Sequence, residues 1–153
     1  MHKSLGNRRG FSLIELVIVV MILGVLGAIA APKLLGTSQR ATDNGLRQTV
    51  SVIRTAIDSF AAEHGEDLPG ADGQETTFKS DLTAYLRGTE FPTCPIGAAK
   101  NNQVRMAAGT GSIVPGIGAT EATQSWVYQY EVGDFYVNSN AVSEDGATVY
   151  HEF

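Results

Sequence analysis

Few side chains in this sequence are placed to do chemistry. His2, His64 and His151 are scattered without metal-ligand spacing, and Cys94 has no second cysteine to pair with. That excludes an intrachain disulfide framework and a Cys-rich zinc module. No G-x-S-x-G, H-E-x-x-H or EF-hand spacing occurs. The stretch from Gly109 to Gly118 lacks the Gly-Lys-Ser/Thr of a P-loop and reads as a plain loop. Two carboxylates could still meet in space as an acid and a base, but no motif favours such a pair. No catalytic residue, cofactor or metal site is assigned. Glu15 is different. It is the single charge in residues 11–31, FSLIELVIVVMILGVLGAIAA. A charge near the centre of a bilayer costs about 2.5–3.5 kcal/mol on insertion scales, so an ionisable group kept in such a run usually has a function. One peptide bond in this region reads as a processing site on its own: it follows Ala28-Ile29-Ala30, an A-x-A-like site after an apolar run.

The element that must position Glu15 is a membrane helix. Residues 11–31 would form a helix about 31 Å long, matching a hydrocarbon core of about 30 Å. The leader MHKSLGNRRG carries Lys3, Arg8 and Arg9 and no acid, so the positive-inside tendency keeps it cytoplasmic and exports the rest. With those cations set aside, 8 bases face 16 acids. The exported part offers phosphate no cationic surface, and no nucleic-acid partner is expected. Charged residues are 18% of the chain and apolar ones 43%, which excludes a disordered polyampholyte. A length of 153 residues allows one globular domain plus an appendage. Gly24 and Ala28, with Gly27 and Ala31 beside them, have the small-xxx-small spacing that lets helices approach closely. Pro32 and Gly36 are expected to weaken or locally melt the helix where it leaves the membrane.

Gly10-Phe11-Ser12-Leu13-Ile14-Glu15-Leu16, preceded by Arg8-Arg9, resembles the processing motif of type IV prepilins and type II secretion pseudopilins. The likeness covers residues 6–36, with Pro32 where many of these proteins also carry proline and Ser12 in a place often held by threonine. It implies that an inner-membrane prepilin peptidase cuts after Gly10 and N-methylates Phe11, and that Glu15 is the assembly residue. The implied partners are that peptidase, other pilin or pseudopilin subunits in a homo-oligomeric filament, and an inner-membrane assembly platform. Elementary physics fits these roles. Cleavage removes the leader cations and leaves a free amine at Phe11, about 6 Å from Glu15. Glu15 could snorkel from there to the interface. Alternatively it pairs with the Phe11 amine of a neighbouring subunit, which stabilises both charges and sets axial register.

Beyond the membrane the pattern turns amphipathic. Leu46, Val50, Ile53, Ile57 and Phe60 form one stripe, which predicts a long helix continuing to His64 with its later half lying on a sheet. Asp43–Arg47 and Arg54–Asp58 read as exposed i,i+4 pairs. Gly65 suits the helix stop, with Pro69 shortly beyond. Residues 66–77 read as a loop, 78–86 as a short second helix, and 88–97 as a connector holding a buried, inert Cys94. Strands are predicted at 102–108, 125–131 and 134–139, the last two a hairpin, with a final short strand at 148–152 after a turn at Glu144-Asp145-Gly146. Trp126, Tyr128 and Tyr130 share one face of the hairpin, to cover the helix or, alternatively, to bind a carbohydrate.

The expected fold is α+β and pilin-like: a long N-terminal helix, membrane-spanning in its first half, packed on a small antiparallel sheet. The organisation is a leader at 1–10, a transmembrane and assembly helix at 11–31, and a periplasmic domain at 32–153. Many pilins close the C-terminal region with a disulfide, which the single Cys94 cannot form. Major pseudopilins often use an Asp-rich calcium loop there. This chain offers calcium only Glu144, Asp145 and Asp134, and no motif supports a site. The function expected is a structural, non-enzymatic subunit of a type II secretion pseudopilus in the bacterial inner membrane. The alternatives are a type IV pilus subunit for adhesion, motility or DNA uptake, a membrane-anchored binding module using the aromatic face, and an enzyme secreted after Ala30.

Overall fold

Leu46, Val50, Ile53 and Ile57 are all buried, and the stripe they form is the seam between helix and sheet. A computed structural model of the chain describes residues 11–112, 115 and 123–153. Lys3, Arg8, Arg9 and Gly10 lie outside the described residues, as does most of the Gly109–Gly118 stretch. The elements in order are α1 (Leu13–Glu63), α2 (Glu75–Leu82), β1 (Val104–Ala107), β2 (Trp126–Gln129), β3 (Asp134–Val137) and a closing 3₁₀ turn at Tyr150–Glu152. The chain divides into two compact units at Ser38 and Gln39.

In the first unit α1 stays helical through Pro32 and Gly36, so the expected local melting does not occur. Proline removes one donor and leaves the flanking i→i−4 ladder to carry the helix. The helix then runs to Glu63, where Gly65 takes φ +70° and the Glu66 N–H returns to the Ala61 carbonyl at 2.8 Å. That backward bond satisfies one of the last orphan carbonyls.

In the second unit α1 lies against Phe78, Leu82, Trp126, Tyr128, Phe135 and Val137. Phe78 stacks on Tyr128 with ring centroids 4.2 Å apart, and Trp126 meets Phe135 at 5.2 Å. Each such side chain contributes about 1.5–3 kcal/mol by leaving water. Trp126 and Tyr128 are fully buried and Tyr130 is partly buried against the core, so the aromatic face covers the helix.

The remaining differences from expectation have local causes. The second helix begins at Glu75 rather than Phe78, because Asp72 accepts the Gln74 N–H at 3.0 Å and the Thr77 hydroxyl at 2.7 Å and so organises an earlier start. The sheet is mixed: β2–β3 is the expected antiparallel hairpin, but β1 pairs with β2 in parallel. Residues 108–125 supply the long crossover that a parallel pair needs. Instead of a final strand, Val149 makes one bridge to Val142 before the chain turns into the 3₁₀ segment. Asp43–Arg47 and Arg54–Asp58 do not pair. Asp43 is only 6% exposed, and Arg54 reaches carbonyls of the sheet and the C-terminal segment.

Candidate functional site

Two places bring functional side chains together, one in each unit. At the start of α1, Glu15 folds back so that its Oε2 accepts the Ser12 backbone N–H at 3.0 Å. Ser12 immediately precedes the helix and Glu15 is its third residue, which makes this half of a capping box. A carboxylate in the first turn also meets the positive end of the helix dipole. The signature Ser-x-x-Glu is legible in the sequence, yet a reading centred on the membrane gives Glu15 only an intermolecular partner. Phe11 is 83% exposed, and every large apolar side chain from Leu13 to Ile29 is exposed too. By length and composition this helix can cross a membrane. Ile18, Met21, Ile22, Val25 and Leu26 line a shallow apolar cleft of about 220 Å³. A Cβ built at Gly24 or Gly27 would meet nothing within 4 Å, so both positions lie open to a neighbour.

In the second unit three turns of α1 hold the C-terminal segment. Buried Asp43 accepts the Tyr150 hydroxyl at 2.8 Å and the Glu144 N–H at 2.9 Å. Burial first, then the bond to Asp43, raises the Tyr150 phenol above its usual range. Arg47 lies over the Phe153 ring at 3.6 Å and 3.6 Å from Asp145. Arg54 donates to the Phe153 carbonyl at 2.6 Å and, through Nε and Nη2, to the Phe135 carbonyl at 3.1 and 2.8 Å. Asp145 organises the turn at its own position. It accepts the Ser143 hydroxyl at 2.7 Å, the Ala147 and Thr148 N–H groups at 2.9 Å, and the Thr148 hydroxyl at 2.9 Å. The Ser143 bond, followed by those from Thr148 and Ala147, holds its carboxyl far below the ordinary carboxylate range. Beyond the turn at 144–146, no local pattern signals this clasp.

Burial pushes the Cys94 thiol up to about 11, against a smaller opposing effect of the Ile96 N–H, so it stays protonated and unreactive. The Asp145 oxygens are engaged in their own turn, and Asp134 accepts the Tyr136 hydroxyl at 2.9 Å. Among the described residues no three His, Cys, Asp or Glu side chains gather as metal ligands.

Residues 5–31 match a family described as the prokaryotic N-terminal methylation motif. The chain is 31% identical over 92 residues to competence protein ComGC of Halalkalibacterium halodurans, covering 60% of this chain and 84% of that one. It is 31% identical over 106 residues to a fimbrial protein of Pseudomonas aeruginosa, covering 68% and 69%. It is also 25% identical over 101 residues to type II secretion system core protein G of Escherichia coli, covering 66% and 62%. No solved structure matches it. These matches extend past the N-terminal motif into the domain. With the exposed apolar helix, Glu15 in its first turn and a small sheet packed on its later half, they make this chain a member of the type IV pilin and pseudopilin family, a structural subunit and not an enzyme.

Proposed function

We propose that the chain is processed between Gly10 and Phe11, methylated on Phe11 and drawn from the inner membrane into a filament through Glu15. Residues 1–10 are then a leader, 11–31 the membrane and assembly helix, and 32–153 a periplasmic domain before assembly. The observation that carries this reading is the apolar helix with every large side chain exposed and one carboxylate at its start. Such a surface needs lipid before assembly and other helices after it. In the filament the Glu15 carboxylate keeps its Ser12 bond and receives the Phe11 amine of a neighbour, inside an environment that would otherwise leave that amine unpaired.

A type IV pilus is the filament best supported, since the relatives called competence and fimbrial proteins are both 31% identical. A type II secretion pseudopilus, assembled on an inner-membrane platform, is the second reading. It is supported by the 25% identity to core protein G.

Glu15→Ala tests the proposal. The variant should insert and be cleaved normally, because losing a charge favours the bilayer and Gly10 is untouched. It should fail to leave the membrane, since removing one partner of a buried ion pair costs about 3–5 kcal/mol. Shearing, membrane fractionation and intact mass of the N-terminus read all three steps. Wild-type filament yield from Glu15→Ala would remove its assembly role, and a mature chain beginning at Ala31 would remove the subunit reading. In a deletion strain, loss of sheared surface filaments supports the pilus, and loss of exported proteins with surface filaments intact supports the pseudopilus.

A further inference from the structure

Arg40 is exposed on α1 and carries no ion pair among the described residues. With Asn44 and Arg47 it lines a cleft of about 210 Å³ whose other walls are Asp43, Ser143 and Asp145. Both acids of that cleft are already engaged, Asp43 with Tyr150 and Glu144, Asp145 with its own turn and Arg47. What the cleft still offers is donors: the unpaired Arg40 guanidinium and the Asn44 amide, beside an Arg47 that already pairs with Asp145 and lies over Phe153. Forked donors of this kind match a carboxylate.

Six exposed carboxylates gather at the opposite end of the domain, while Glu144, Asp145 and Glu152 are exposed in the C-terminal segment. Asp58, Glu63, Glu66 and Asp67 stand at and just beyond the end of α1. Glu131 and Asp134 flank the β2–β3 turn, which reaches the same end: a Cβ at Gly133 would lie 3.0 Å from Leu68 and 3.9 Å from Ile57. All six are exposed and none is ion-paired among the described residues. Arg40 and Glu63 are about 35 Å apart along α1, so they cannot meet within one chain.

We propose that the Arg40 cleft receives carboxylates from the acidic end of a second copy of this chain. The inference rests on the filament-subunit reading and names a contact between its domains. The two surfaces differ, so a copy that uses one keeps the other free. A contact of that head-to-tail kind repeats without closing and generates a helical filament rather than a ring. The pairs are solvent-exposed, so the contact selects register and is weakened by salt.

The test uses the full-length chain in a strain that carries it, with buried Cys94 left in place. Arg40→Cys is co-expressed with Glu63→Cys or Asp67→Cys, sheared filaments are oxidised, and disulfide dimers are read on non-reducing gels. Dimers from the mixed pair, absent from either variant alone and from the membrane-trapped Glu15→Ala background, are the expected result. Arg40→Glu should lower sheared filament about tenfold by opposing like charges, with the membrane pool unchanged. Adding Glu63→Arg and Asp67→Arg should restore yield. Arg40→Glu filaments at wild-type yield, with no mixed cross-link, would overturn the interface while leaving the subunit reading intact. A wild-type strain that sheds no filament would overturn the subunit reading and this interface with it.

Discussion

In the single chain the Glu15 carboxylate already serves its own helix through Ser12, so in the assembly proposed above a second partner would meet a group held in place beforehand. Preorganisation of this kind lowers the entropy lost when the second partner arrives. Asp145 is held in the same manner by four donors, and its effect on stability has a definite sign. Its folded-state pKa lies below the ordinary 3.8, so the turn stabilises the domain above that pH and loses its contribution as pH falls below it. Asp145→Ala should therefore melt below the wild type at pH 7, with the gap narrowing steadily under pH 3.8. The fluorescence of buried Trp126, the single tryptophan, reports the melting of the detergent-solubilised chain. A constant gap across that range would show that Asp145 acts through packing alone. The methylation motif that contains Phe11 and Glu15 was legible because it lies within a few residues. Asp43 was not: its partners stand 101 and 107 residues away, and no local pattern distinguishes a buried acid from one side of a surface pair.

Helix α1 was legible apart from the melting expected at Pro32 and Gly36, because its apolar spacing, its Gly65 stop and its polar continuation agree with one another. The other elements were less so, and tertiary contacts explain why. Strand β2 reads as a one-sided aromatic strand, yet all four of its residues are buried. Gln129 on its other face donates to the Gly109 and Gly111 carbonyls at 2.7 and 2.6 Å, drawing a loop over the side that the sequence leaves open. The parallel pairing of β1 likewise depends on a crossover whose path no short-range signal encodes. Turn glycines separate conformational cost from packing cost. Gly65 has φ +70° and open space, so Gly65→Ala should lose about 1–2 kcal/mol from the left-handed backbone alone. Gly70 has φ +64°, and a Cβ there would stand 2.7 Å from the Phe78 Cβ and 3.0 Å from its Cα. Gly70→Ala should cost clearly more, because α2 itself has to move. Urea unfolding midpoints of the two variants check the order, and equal midpoints would contradict it.

At the scale of the molecule, the unit Gln39–Phe153 contains the whole buried core, while the exposed apolar side chains of residues 11–31 belong to the other unit. A fragment beginning at Leu35 should accordingly be soluble, monomeric and folded without reductant or added metal. Size-exclusion chromatography and Trp126 fluorescence check this, and melting that falls on adding a chelator would mean that a metal contributes after all. The two sheet edges have a further consequence. At one edge Glu75 accepts the Val104 N–H at 3.1 Å, and at the other Arg54 occupies the Phe135 carbonyl. An incoming strand would have to displace a charged side chain at either margin. Both margins of the sheet are thereby closed to amyloid-like strand addition by another chain.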